Sequence, residues 1–197
     1  MAKLYFKYGA MGSSKTANAL MVRYNYEERG QVALLVKPEI DQRDGAKFVA
    51  SRMGLSHACI YFSELVVMPE EQVRSHACVI VDEAQFLTKA QVQQLVHIVD
   101  ELNVPVIAYG LRADFMNRGF PGSTRLLELA HTIEEMKTIC ACGRKATCNG
   151  RKVNGEFVFE GAQVAIDTVD AVEYQSLCPQ CWYREYRAFL KRHPAHQ

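Results

Sequence analysis

Two strings of residues can do chemistry on a phosphorylated substrate, and a third can hold a metal. Gly9-Ala10-Met11-Gly12-Ser13-Ser14-Lys15-Thr16 has the make-up of a loop that wraps phosphate. Small residues let main-chain N–H groups turn inward, and the start of the following helix adds positive potential. In such a loop Lys15 would reach the β- and γ-phosphates and the Thr16 hydroxyl would bind Mg2+. One position departs from the usual pattern: Ser14 stands where a glycine normally precedes the lysine, and a positive φ there costs of order 1 kcal/mol. The second string, Cys78-Val79-Ile80-Val81-Asp82-Glu83, is an apolar strand that ends in two carboxylates. Ligands of parallel α/β sheets lie beyond the carboxyl ends of the strands. Asp82 is therefore suited to Mg2+, and Glu83 to accepting a proton from an attacking hydroxyl or water. The third is a pair of pairs, Cys140-x-Cys142 and Cys178-x2-Cys181. Four thiolates suit tetrahedral Zn2+ in a closed, structural site. Cys148 falls outside both pairs and reads as a plain thiol, with the role of a substitute ligand left open, and Cys59 and Cys78 read as buried strand residues.

The elements that must position these groups alternate. Leu4–Tyr8 reads as a strand running straight into the loop, followed by a helix from Lys15 to about Glu28. Val32–Val36 is a second strand, wholly apolar as buried parallel strands are. Ala58–Phe62 is a third and Cys78–Val81 a fourth. After Thr88 the apolar residues Val92, Leu95, Val96, Val99 and Leu102 recur with helical period. Val104–Tyr109 gives a further strand, with Pro105 near its start. This alternation implies a parallel sheet covered by helices on both faces. Near Lys137 the pattern changes to a cysteine pair, a hairpin turning at Asn154-Gly155, a β-like stretch at 163–166, the second cysteine pair and a terminal helix. One face of that helix is formed by Trp182, Tyr183, Tyr186, Phe189 and Leu190. Two domains are expected, 1–137 for nucleotide binding and 138–197 as a β-rich appendage.

Composition narrows the class. Lys+Arg number 23 against 22 Asp+Glu in 197 residues, a formal net charge of +1. That balance excludes a strongly basic DNA-coating protein and an acidic disordered tail. No apolar run approaches the ~18 residues that span a bilayer. Met1-Ala2-Lys3-Leu4-Tyr5-Phe6 has no signal pattern. Five of the seven cysteines come after residue 139, which points to metal binding in a reducing compartment rather than to a disulfide framework. The expected location is the cytoplasm, with neither nucleic acid nor membrane as a partner. Phosphate loop and acidic pair together support ATP or GTP binding; they do not specify the reaction.

Longer strings carry a resemblance. Asp82-Glu83-Ala84-Gln85-Phe86, Ile139-Cys140-Ala141-Cys142-Gly143 and Cys178-Pro179-Gln180-Cys181, with Glu39-Ile40-Asp41-Gln42-Arg43 and Tyr109-Gly110-Leu111-Arg112-Ala113-Asp114-Phe115, resemble the thymidine kinases of the bacterial and human cytosolic type over nearly the whole chain. The resemblance implies a P-loop (RecA-like) α/β fold: a parallel sheet flanked by helices, plus a small β-rich zinc-ribbon domain with a lasso loop. It implies transfer of the ATP γ-phosphate to the 5′-hydroxyl of thymidine, a salvage step toward DNA synthesis, with Glu83 as general base. ATP binding falls to residues 9–16 with Asp82 and Gln85, and the magnesium and phosphate roles to Thr16, Asp82, Asp41 and Arg43. Met11, Phe86, Leu111, Phe115, Phe120 and Tyr174 fall to the nucleoside, and Cys140, Cys142, Cys178 and Cys181 to structural zinc. Phe115 sits among Arg112, Asp114, Asn117 and Arg118, the company of a ring that stacks on something flat. The lasso, 161–175, has Asp167-Thr168 where many relatives carry two glycines. A homotetramer and feedback inhibition by dTTP are further implications. Three other readings stay open: a P-loop ATPase with a partner-binding zinc ribbon, a non-catalytic nucleotide-binding homologue motivated by Ser14, and a kinase of another deoxynucleoside.

Overall fold

The computed structural model describes residues 1–41, 45–164 and 172–194. These residues form two compact units: Met1–Tyr8, Ser14–Leu111 and Phe120–Met136 make the first, and Gly9–Ser13, Arg112–Gly119 and Lys137–Gln197 the second.

In the first unit the chain runs β1 (Leu4–Tyr8), α1 (Lys15–Glu27), β2 (Ala33–Lys37), β3 (Phe48–Ala50), β4 (Ser56–Ala58), β5 (Ile60–Tyr61), α2 (Phe62–Val67), α3 (Glu70–Arg74) and β6 (Cys78–Val81). A 3-10 turn at Ala84–Phe86, then α4 (Lys89–Asp100), β7 (Val106–Gly110), α5 (Pro121–Leu129) and β8 (Thr132–Glu135) complete it. Six strands form one sheet in the order β5-β2-β6-β7-β1-β8, every pairing parallel. Successive side chains of a strand point to opposite faces, which the packing of β6 displays. Cys78 and Ile80 join Ala19 and Leu20 of α1 in one apolar cluster. Val79 and Val81 join Val92, Leu95 and Val99 of α4 and Leu126 of α5 in the other. Helices therefore cover both faces, as the alternation implies. Thr88 starts α4 with a reciprocal cap, its hydroxyl accepting from Gln91 N and its own N–H donating to Gln91 Oε1.

One expectation changes here, and one strand is added. The run Ala58–Phe62 is not one strand. Only Ile60–Tyr61 joins the large sheet, while Cys59 N donates to Lys47 O and Phe62 opens α2, capped through Tyr61 N and Glu64 Oε2 at 2.9 Å. The polar run at 132–135, which carries no strand signature, pairs with β1 as the sheet's edge.

The second unit contains β9 (Thr138–Ile139), β10 (Lys145–Ala146), β11 (Cys148–Val153), β12 (Glu156–Val158), β13 (Val172–Leu177) and α6 (Pro179–Arg192). β11 lies between β12 and β13, antiparallel to both. Asn154 and Gly155 turn the β11–β12 hairpin with φ of +52° and +83°, the geometry a two-residue hairpin demands. Phe159, Trp182 and Phe189 form the aromatic centre of its core with Leu177, Ala146 and the thiols. Tyr183, expected on the packed face of α6, is 55% exposed. Of the β-like stretch at 163–166, Gln163 and Val164 form no strand, and Ala165 and Ile166 lie outside the described residues.

Candidate active site

The parallel register aligns Tyr8 with Gly110, Val36 with Val81, and Val81 with Ala108. Tyr8, Val81 and Gly110 thus end their strands at the carboxyl edge of the sheet, with Asp82 and Leu111 directly beyond it, where such folds bind ligands. Gly12 and Ser14 both have positive φ, +71° and +57°, so the loop turns through two left-handed residues, one of them carrying a Cβ. Ser14 caps α1 through its main-chain carbonyl, which accepts from Asn18 N at 2.9 Å; its side chain makes no cap bond. Lys15 and Thr16 occupy the first turn of α1.

Asp82 is 3% exposed. Burial and the neighbouring Glu83 push its carboxyl up to about 7, opposed by a hydrogen bond from the Thr16 side chain, one from the Glu83 main chain, and the Lys15 charge. A buried carboxylate held this high is short of positive charge. With a hydroxyl beside it, the pair offers the hard oxygen donors that Mg2+ takes. Glu83 has φ +50°, ψ +36°, a left-handed conformation that a residue with a Cβ adopts at a cost. The Gln85 Nε2 donates to Glu83 Oε2, and Gln85 Oε1 accepts from Leu111 N at 3.0 Å. Gln85, assigned by resemblance to ATP, thus holds the candidate base and the Leu111 main chain together. Two glycines give it room. A Cβ on Gly110 would lie 2.9 Å from Gln85 Oε1, and one on Gly122 would lie 2.5–3.0 Å from the carbonyls of Leu87, Ala84 and Gln85. Phe86 and Phe120 meet edge to face at 5.9 Å. The first unit therefore brings Thr16, Asp82, Glu83, Gln85, Phe86, Leu111 and Phe120 into one connected set.

Asp41 is 5% exposed and lies 3.9 Å from Lys37 Nζ. That ammonium, fully buried, also donates to Gly45 O and Phe48 O at 3.0 and 2.8 Å. Lys37 was not singled out from the sequence, although a lysine closing an otherwise apolar buried strand is a signal. Arg43 lies outside the described residues.

In the second unit Met11 N donates to Asn149 Oδ1 at 2.8 Å, and Asn149 Nδ2 donates to Ala113 O at 2.8 Å. Phe115 is 1% exposed. The flat group on it is the Arg151 guanidinium, 3.7 Å from the ring centroid, so one face of the ring is taken by the protein itself. Asp114 accepts from Met116 N and Arg118 N, both at 2.8 Å, and from Gln163 Nε2 at 3.0 Å. Trp182 Nε1 donates to Phe115 O at 2.9 Å. Tyr174 stands half-buried in β13, across from Arg151. Residues 165–171, the centre of the lasso with Asp167-Thr168, lie outside the described residues. Sequence reasoning did not reach Asn149, Arg151 or the Trp182 bond, whose partners are main-chain atoms and, for Arg151, a ring 36 positions earlier in the chain.

The sulfurs of Cys140, Cys142, Cys178 and Cys181 all lie within 4.8 Å of one another. Cys142 and Cys178 are 3.6 Å apart, close to the ~3.8 Å between ligands of tetrahedral zinc at ~2.3 Å per bond. Gly143, at φ +83°, turns the first pair, and Cys178 caps α6 with its sulfur toward Cys181 N. That N–H is the main influence lowering the Cys178 thiol to about 6, which favours the thiolate a metal needs. The donor set fits zinc. Cys148 stands outside it, its thiol raised chiefly by burial, and burial likewise raises Cys59 to about 11 and Cys78 to about 12.

A family profile described as "Thymidine kinase" matches residues 2–182. The thymidine kinase of Legionella pneumophila (strain Lens) is 49% identical over 84% of this chain and 83% of its own length. That of Rhodopirellula baltica is 45% identical over 90% of this chain and 86% of its own. That of Streptococcus thermophilus (strain CNRZ 1066) is 42% identical over 95% of this chain and 96% of its own.

Proposed function

The chain belongs to the thymidine kinase family, and we propose from that premise how its own residues carry the transfer. It is an ATP:thymidine 5′-phosphotransferase, which disfavours a partner-driven ATPase and a non-catalytic homologue. Glu83 accepts the 5′-hydroxyl proton as that oxygen bonds to the γ-phosphorus and the bond to the β-phosphate bridging oxygen breaks, giving dTMP and ADP. Phosphoryl transfer asks the protein mainly for positioning and for charge stabilisation. Lys15 and the main-chain amides of residues 9–16 supply donors to the phosphates, with Gln85 retained among the ATP-side residues through its grip on Glu83. Thr16 and Asp82, aided by Asp41 and Arg43, hold Mg2+, which neutralises phosphate charge. Met11, Phe86, Leu111, Phe115, Phe120 and Tyr174 receive the nucleoside under the lasso.

The observation that carries this reading is the doubly bonded Gln85, which joins the carboxylate of Glu83 to the main chain of Leu111. A proton acceptor and a wall of the nucleoside pocket are thereby set by one side chain. Zinc is held by Cys140, Cys142, Cys178 and Cys181 as a structural ion. The division at 137/138 into nucleotide-binding and zinc-and-lasso parts rests on the change of sequence pattern near Lys137, a cytoplasmic location on the clustered thiols and the absence of a signal pattern, and the homotetramer and inhibition by dTTP on the family resemblance. No helix among the described residues is long and apolar enough to cross a membrane. A steady-state assay with thymidine and Mg-ATP, run beside a DNA-containing control and a zinc determination, tests the reading. Thymidine-dependent ADP release with dTMP formation is expected; ADP release that follows DNA and ignores thymidine overturns it.

A further inference from the structure

Three parts of the second unit converge on Arg151. It faces Tyr174 directly in the antiparallel β11–β13 register. Its guanidinium lies over the Phe115 ring. Its Nη1 and Nη2 donate to the carbonyls of Ala162 and Glu160, at 2.8 and 2.7 Å. The residue is 6% exposed, and its Nε has no hydrogen-bond partner among the described residues.

Burying a guanidinium against neutral carbonyls is costly, and an apolar side chain of similar size fills such a space at lower cost. Packing alone therefore does not account for arginine here. What arginine adds is a rigid plate of donors that can lie on a ring and hold two carbonyls at once. The turn it grips is built for this approach. Gly161 has φ +102°, and a Cβ there would lie 2.8 Å from Arg151 Nη2.

We infer that Arg151 is a positioning residue for nucleoside binding. It holds the Phe115 ring, the strand of Tyr174 and the Glu160–Ala162 turn where the lasso begins as one piece. The inference rests on the assignment of Phe115, Tyr174 and the lasso to the nucleoside. Arg151 touches neither substrate in this role, so its loss acts on thymidine and spares ATP.

The test is the full-length, zinc-loaded enzyme with Arg151→Lys, which keeps the charge and loses the plate, and with Arg151→Met, which keeps the apolar bulk and loses every donor. Both variants are expected to raise the thymidine KM about tenfold while the ATP KM and kcat stay within about twofold, the signature of lost binding rather than lost chemistry. Zinc content and melting temperature identify a variant that has failed to fold, in which case the other decides. An active parent whose folded variants keep the thymidine KM, or lose ATP KM and kcat in step with it, overturns this inference alone. A parent that ignores thymidine overturns the functional reading beneath it.

Discussion

Asn149 joins Met11 to Ala113: its Oδ1 accepts from Met11 N, and its Nδ2 donates to Ala113 O, each at 2.8 Å. One buried amide thus ties the tip of the phosphate loop to the segment that carries Phe115. Asn149→Leu removes both bonds and leaves a partly buried N–H and a partly buried carbonyl without their partner, at a cost of about 1 kcal/mol. Because Met11 is assigned to both substrates, the KM for ATP and the KM for thymidine are expected to rise together. Asn149→Asp keeps the Met11 bond and sets a carboxylate against the Ala113 carbonyl, so its effect is expected to fall mainly on thymidine. Parallel KM determinations separate the two; identical profiles for Leu and Asp would count against the bridge.

Glu83→Gln preserves size and removes the proton acceptor. Turnover is expected to drop about 10²–10⁴-fold, with ATP affinity, read by equilibrium binding, nearly unchanged. Turnover equal to the parent's removes Glu83 from the reaction.

The Asp82 carboxyl, raised by burial and by Glu83 to about 7, makes stability depend on pH in a definite sense. A carboxyl whose folded pKa exceeds its unfolded value near 4 favours the folded state when protonated. Its penalty therefore grows as pH rises from about 4 through 7. Without Mg2+, Asp82→Asn is expected to raise the melting temperature more at pH 8 than at pH 5. Added Mg-ATP should stabilise the parent and leave the variant behind. A gain that is equal at both pH values contradicts the assignment.

Ser14 holds φ +57° where a phosphate loop usually has glycine. Ser14→Gly relieves a strain of about 1 kcal/mol, and a higher melting temperature with kinase activity retained is expected. A lower melting temperature would show that the hydroxyl contributes more than the strain takes away.

Trp182, the single tryptophan of the chain, directly follows the candidate ligand Cys181 and donates to Phe115 O. Chelation is expected to release one zinc per chain and to shift the tryptophan emission to longer wavelength as the small aromatic core loosens. Emission that ignores metal loss would separate the thiol cluster from that core.

Much of this was legible beforehand, for identifiable reasons. β6 and α4 stand out because an unbroken apolar run and a clear 3.6-residue period leave few other structures available, and β1 because its apolar and aromatic run is interrupted only by Lys7. The Asn154-Gly155 turn follows from two residues that tolerate positive φ. β8 was hidden because Thr132–Glu135 pairs through its main chain at an edge and shows no apolar run. The third strand was overread because Ala58–Phe62 is continuously strand-like in type, while Tyr61 and Glu64 cap a helix in its place. In the site, Asp82, Glu83 and the four thiols announce themselves by type and spacing. Asn149 and Arg151 do not: their partners are carbonyls and an N–H that every residue possesses, and only the fold selects which ones they meet.

Gly110 and Gly122 leave the space in which Gln85 and its turn sit, and neither touches a substrate in the proposed mechanism. A single methyl at either point would have to move backbone or the amide that steadies Glu83. Attempts to broaden the enzyme toward bulkier nucleosides by evolving this region should accordingly find both positions closed, and will have to remodel the walls of the pocket instead of the turn that carries Gln85.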